Sequence, residues 1–420
     1  MDAKGPYRMN TTTNNSVTTE FTLDNGLKVV VRQDHRKPAF CSAVTYGVGA
    51  FYEEPQERGL SSVVTQALLN NDEQAVVKEL GGDFLTHWGE DSMTHQLSLP
   101  REHLDTAFKL QAAMMMRAPQ DDVFQQHQEN ELAISRRTSN FVSAVTFGSK
   151  LEALIEIGTR YYSTPDELTQ SLEQLTLDQI QQWRNDWYVP ANAVLVVTGD
   201  ITPDEVKPLA EEHFGVITQA DVPYRDFSVT PPAPGYRQLT QQLETQHPLM
   251  LVVFNVPSLA TNTDVQSARA LQVMTSLLTN AAPQRLVTPG FNPAHTFANH
   301  PQFMRGDSRF SFAFYFEGEA QTAEADFWAW LDEVKSTLFT TEEIEPAIQT
   351  ASANAGQRID RLEGASRTIG QLITNGCPRQ LLDVELEQLG NVTPADIQST
   401  AQMWLTRERA TVGHVFPMDK

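Results

Sequence analysis

The sequence predicts an α+β chain made of two homologous domains, and three observations carry that prediction. The first is length, since 420 residues exceed what one ordinary hydrophobic core organises. The second is internal repetition. Leu172-Glu-Gln-Leu175 leads to Trp187 and an apolar run from Ala193 to Thr198, and half a chain later Leu386-Glu-Gln-Leu389 leads to Trp404 and a run from Ala410 to Val415. The apolar stretch Pro38 to Gly49 and the helical pattern Gly59 to Asn71 recur in the same order as His247 to Ser258 and Asp264 to Asn280. Two ordered correspondences at nearly one offset mark a duplication. The third is element order: strands fall in adjacent runs and helices in blocks, which suits an antiparallel sheet with helices packed largely on one face.

Taken in order, Met1 to Thr19 lacks an apolar core and reads as a disordered lead-in with no signal peptide, which places the chain in the cytoplasm unless it is a processed form. The first domain spans residues 20–218. It opens with strand-like runs at Phe21 to Arg32 and Ala39 to Gly49, followed by the Gly59 to Asn71 helix. Gly81-Gly82 precedes a hairpin over Leu85 to Leu99 whose turn lies at Gly89 to Ser92. Glu102 to Met116 is helical, with Leu104, Ala107, Phe108 and Ala112 at three- and four-residue spacing, and Asp122 to Arg137 is helical after it. Met114 to Met116 reads as core filler. Pro223, Pro231, Pro232 and Pro234 mark a linker over 219–238, and the second domain fills 239–420.

Composition excludes several functions. Lys plus Arg total 31 against 53 Asp plus Glu, a net charge of −22, which disfavours nucleic acid and anionic membranes as partners. No apolar run approaches the ~20 residues of a membrane span. Cys41 and Cys377 are the only cysteines, lie far apart, and read as free thiols. No phosphate-binding glycine loop, G-x-S-x-G or Cys–His constellation is present.

The order Phe21 to Arg32, Ala39 to Gly49, Gly59 to Asn71, Leu80-Gly-Gly-Asp83 and Trp187 to Asp200 resembles the pitrilysin/insulinase family of zinc peptidases, the inverzincins. Their zinc helix reads roughly G-L-x-H-x-x-E-H, with two His ligands and a Glu general base. Aligned on Gly59-Leu60, those positions are Ser62, Thr65 and Gln66. Positions i and i+4 share a helix face, so the spacing survives, but a hydroxyl and an amide are poor zinc donors. Thr65 cannot take a proton from a metal-bound water near neutral pH. The family's third ligand, a Glu in E-I-x-x-x-x-x-N, aligns with Ala133 of Ala133-Ile-Ser-Arg-Arg-Thr-Ser-Asn140, although Glu129 and Glu131 lie close by. A single carboxylate does not make a zinc site, so no catalytic or metal-binding residue is expected in this chain.

The resemblance implies two such domains related by a pseudo-two-fold. It also implies an edge strand over Phe84, Leu85, Thr86, His87 and Trp88 on which an extended peptide lies by β-augmentation. His87-Trp-Gly-Glu90 with His95 mimics a metal motif, but its place on a hairpin argues against one. Arg285 matches the Arg of the family's S-R-L and is weighed as a substrate contact against a structural ion pair. The Val287 to Phe297 stretch lacks the Arg and Tyr that hold the substrate carbonyl in active members. The expected function is that of a non-catalytic subunit paired with a zinc-bearing homologue, with zinc only in that partner and an unstructured peptide as substrate. The alternative is a structural subunit like the core subunits of respiratory complex III.

Overall fold

The computed structural model describes residues 17–140, 144–159, 161–223 and 233–418. Residues 1–16 of the expected lead-in and 224–232 of the expected linker lie outside that description.

The first half runs β1 (Thr18–Thr22), β2 (Lys28–Gln33), β3 (Ala39–Tyr46), α1 (Leu60–Ala67), α2 (Asn71–Glu79), β4 (Asp83–Trp88), β5 (Met93–Pro100), α3 (Leu104–Met116), α4 (Asp121–Asn140), α5 (Ala144–Ile155), α6 (Pro165–Gln174), α7 (Leu177–Trp187), β6 (Ala193–Gly199) and α8 (Pro203–His213). The second half runs β7 (Arg237–Leu243), β8 (Leu249–Val256), α9 (Val265–Leu277), β9 (Thr296–Asn299), β10 (Ser308–Tyr315), α10 (Ala320–Ser336), α11 (Thr341–Asp360), α12 (Leu362–Thr374), α13 (Glu385–Gly390), α14 (Pro394–Trp404) and β11 (Ala410–Pro417). β1 begins inside the expected lead-in, and β7 begins inside the expected linker.

The strand order is β1-β2-β6-β3-β5-β4 in one sheet and β7-β11-β8-β10-β9 in the other. Without β1 the two orders correspond strand for strand. Both sheets are antiparallel except for one matching parallel pair, β2 with β6 and β7 with β11. The repeated Leu-Glu-Gln-Leu segments fall on α6 and α13. Each is followed by a capping box, from Thr176 with Gln179 at α7 and from Thr393 with Asp396 at α14.

The sequence reading of one helix over Gly59 to Asn71 is corrected here. Asn70 adopts an extended conformation and its side chain accepts from the amides of Asp72 and Glu73, so it caps a separate helix, α2.

Within each half the helices pack on one face of the sheet, and a helix of the other half covers the second face. β6 is buried at every residue, and its side chains alternate between two cores. Leu195 and Val197 join the main first-half core, whereas Val194 and Val196 pack with Ile369 and Leu372 of α12. In the second sheet Val252 and Phe254 face their own helices, while Val253 and Val415 meet Phe147, Leu151 and Ile155 of α5. Each half thus lends one helix to the back of the other half's sheet, and the two domains interlock. Cys41 takes part, buried 3.2 Å from Ser366 Oγ of α12, and Cys377 is also free. No helix among the described residues is long and apolar enough to cross a membrane.

A buried histidine and a half-buried one tie this packing to pH. Burial pushes the pKa of His95 on β5 and of His300 between β9 and β10 down to about 4. An unfolded histidine titrates near ~6.5, so as pH falls from there to about 4 the unfolded chain takes up protons that the folded chain refuses. Stability should therefore drop across that window, by roughly 1.4 kcal/mol per pH unit for each ring. His95→Phe keeps an aromatic ring in place and removes one titration. Denaturant midpoints measured between pH 7 and 4 should lose one ring's share of the slope.

Candidate functional site

α1 starts sharply because of two local features. Gly59 sits at φ 87°, a left-handed conformation, and a Cβ there would come within 2.6 Å of Leu172 Cδ2. Glu53, buried just upstream, accepts from the amides of Gly59 (3.0 Å) and Ser61 (2.8 Å) and from Ser61 Oγ (2.6 Å). A carboxylate at a helix N-terminus satisfies orphan amides and complements the helix dipole. Burial pushes the Glu53 pKa up, against the pull of those hydrogen bonds.

From this start Ser62 and Gln66 share the face turned toward α4. Both donate to one oxygen, Glu131 Oε1, from Ser62 Oγ at 3.1 Å and from Gln66 Nε2 at 2.7 Å. The carboxylate facing the pair is therefore Glu131, which corrects the placement of Ala133. Two residues further along a helix is about 200° around the axis, and Ala133 is exposed.

Thr65 turns the other way. It is fully buried, its Oγ1 donates to Ser61 O at 2.8 Å, and it meets Tyr188 Oη at 2.6 Å. Tyr188 packs against Tyr46 with the rings tilted by 39° and their centroids 4.6 Å apart. The position that aligns with a general base is thus a hydroxyl held inside an aromatic core.

A hydroxyl, an amide and one carboxylate already engaged by both do not fit a zinc ion, which favours imidazole, thiolate or carboxylate in a tetrahedral set. Among the described residues no group of three or more His, Cys, Asp or Glu converges as a metal site.

β4 is the outer strand of its sheet. Registry opposite β5 places Phe84, Thr86 and Trp88 on the face of Leu97, His95 and Met93, and Leu85 and His87 on the face of Gln96 and Thr94. Phe84 stacks on His95, and Thr86 Oγ1 lies 3.1 Å from His95 Nδ1. His87 and His95 therefore sit on opposite faces of the sheet and cannot share a metal. Leu85 and Trp88 are 48% and 55% exposed, unusual for apolar residues on an edge.

The turn beyond β4 is tied to the second half. Asp91 accepts from Tyr161 Oη (2.7 Å) and from the Arg305 amide (2.8 Å). Arg309 of β10 bridges Glu90 of the turn with Glu152 of α5 and Glu156 just beyond its end. The edge is held as a rigid ledge.

Arg285 does not join this ledge. Its guanidinium forms a two-pronged pair with Glu343 at 2.6 and 3.1 Å and lies over the Phe339 ring. That pairing is the structural ion pair weighed for this residue. The residue that sequence reasoning missed is Arg367 of α12, whose Nη1 lies 3.2 Å from His87 Nδ1. No spacing signal links positions so far apart in the chain.

Paired sheets with exchanged helices, Ser62 and Gln66 on one face of α1, and an open edge strand give the chain the architecture of two-domain M16-like folds. Residues 174–351 match the family model described as the Peptidase M16 inactive domain. Over that segment the chain is similar to the M16 peptidase family. It is 23% identical over 210 residues to the zinc protease PqqE of Helicobacter pylori, a match covering 48% of this chain and 47% of that relative, about half of each. Among solved structures it is similar to a protease from Helicobacter pylori, with a TM-score of 0.82, 18% identity and coverage of 96% of this chain and 100% of that one. It is also similar to the periplasmic protease PqqL of Escherichia coli (TM-score 0.74, 15% identity), over 96% of this chain but 48% of that longer one. A chain of complex III2 from Candida albicans matches with a TM-score of 0.75 and 11% identity over 95% of both chains.

Proposed function

We propose that this chain is a non-catalytic subunit that pairs with a zinc-bearing homologue to form a peptide-cleaving heterodimer. In that pair it supplies chamber wall and a strand on which an unstructured peptide lies, and zinc resides only in the partner. One contrast carries the reading: the ligand positions are closed by hydrogen bonds onto Glu131, while the edge strand β4 stays open with apolar side chains exposed. A lost active site beside a retained docking edge fits a chain kept for binding. The PqqL similarity supports pairing, because this chain corresponds to about half of a longer protease.

The structural-subunit reading has one observation in its favour, the similarity to a complex III2 chain along nearly its whole length. Affinity purification from the native cell separates the two, since a zinc-bearing homologue supports the first and a cytochrome complex the second. Purified untagged protein should carry well under one zinc per chain and cleave no peptide by itself. Stoichiometric zinc by elemental analysis, removable by chelator along with peptide cleavage, would sink the non-catalytic reading.

A further inference from the structure

The β4 edge has a cation beside it that its own chain does not neutralise. Arg367 is half-buried on α12, the helix lent by the second half to the back of the first sheet. Among the described residues its hydrogen-bonded contact is His87, at 3.2 Å from Nη1 to Nδ1. Gln96 fixes the proton arrangement. Its Nε2 donates to Glu363 O and Ser366 Oγ, so its Oε1 accepts from His87 Nε2 at 2.6 Å, which leaves His87 Nδ1 as the acceptor for Arg367. Burial, then the Arg367 charge, pushes the His87 pKa down, so this neighbour stays neutral. The carboxylate one helical turn earlier, Glu363, accepts from Ser98 Oγ at 2.8 Å and makes no ion pair with Arg367. Most guanidinium N–H donors thus remain for a carboxylate from elsewhere, in a chain whose net charge is −22.

Strand geometry says where that carboxylate would come from. A strand added to the open side of β4 lies about 4.8 Å away, and its side chains alternate between the two sheet faces. A residue opposite Leu85 and another two positions away, opposite His87, point to the α12 side, whereas their neighbours point to the side of Phe84, Thr86 and Trp88.

We propose that the β4 edge selects extended peptides bearing an acidic side chain two residues from an apolar one, with Arg367 binding the carboxylate and Leu85 the apolar group. This rests on the reading of β4 as a peptide-binding edge. It gives that edge a local preference opposite to the one the chain's overall charge suggests.

The test uses the full chain and a labelled nine-residue Thr-rich peptide carrying Leu and Glu two residues apart, followed by fluorescence polarisation. Replacing the peptide Glu with Gln should weaken binding about ten-fold, as expected for loss of a charge-assisted hydrogen bond. Arg367→Gln should weaken the Glu peptide equally and leave the Gln peptide unchanged. Arg367→Glu should favour a Lys peptide. N-methylation along the peptide should abolish binding at alternate residues, as strand addition requires, with no risk to the fold. Alternate N-methyl losses without any charge dependence overturn the assignment to Arg367 and leave the edge-strand reading standing. No binding, or binding indifferent to N-methylation, overturns both.

Discussion

Mixing the purified chain one-to-one with a zinc-bearing M16 homologue of similar length from the same cell should raise cleavage of an unstructured peptide about ten-fold or more above the partner alone. The physical reason is enclosure. Each chain is two interlocked domains whose sheets are already covered on their backs by the exchanged helices α5 and α12. The ledge of β4 stays open with Leu85 and Trp88 exposed, and in the proposed heterodimer the second chain closes a chamber over it. A peptide held between two walls is positioned along its length, and each ~1.4 kcal/mol of transition-state positioning lost is ten-fold in rate. Replacing Leu85 and Trp88 by Ser should leave the chain folded and cut the stimulation, since both side chains project outward. Rates for the partner alone, for the one-to-one mixture and for the mixture with that variant check the claim. A partner fully active by itself and indifferent to this chain would move the interpretation to the structural-subunit alternative.

The duplication was readable because it is written in local chemistry. The Leu-Glu-Gln-Leu segments at 172 and 386 and the apolar runs after Trp187 and Trp404 recur in order without knowledge of the rest. That Ser62 and Gln66 share one helix face was readable for a similar reason, since i and i+4 on one helix need no tertiary information. The identity of the third position was not. Ala133 and Glu131 lie on one continuous helix, and only the direction from which α1 approaches decides which side of α4 counts. The break between α1 and α2 carried a signal that was passed over: Asn70 followed by Asp72 and Glu73 is an N-terminal helix signature. The exchanged helices had half a signal. A run such as Ala193 to Val197, apolar at every position, announces burial on both faces, but it does not say which helix supplies the second cover. Arg367 reaches β4 only through that exchange, so no reading confined to one half of the chain could have placed it there.

Restoring the ligand pair should restore zinc with fewer changes than the sequence alignment demands. Alignment calls for His at 62 and 66, Glu at 65, and Glu in place of Ala133. The structure already supplies a carboxylate, because Glu131 Oε1 lies within hydrogen-bonding distance of both Ser62 and Gln66. Ser62→His with Gln66→His puts two imidazoles on one helix face and releases Glu131 from its neutral donors, giving the three protein ligands of an open zinc site. The double variant should bind close to one zinc per chain in a chelator-competition titration. Adding Glu131→Ala should weaken it by at least about ten-fold, a scale on which even second-shell partners act. Adding Ala133→Glu should change nothing, since that side chain points to solvent. Hydrolysis should not return with the metal. Thr65 is sealed against Tyr188 and Tyr46, so Thr65→Glu would force a carboxylate into an aromatic core at a cost of several kcal/mol. A double variant that folds normally but binds no zinc, or binds it only once Ala133→Glu is added, would show that Glu131 does not occupy the ligand position.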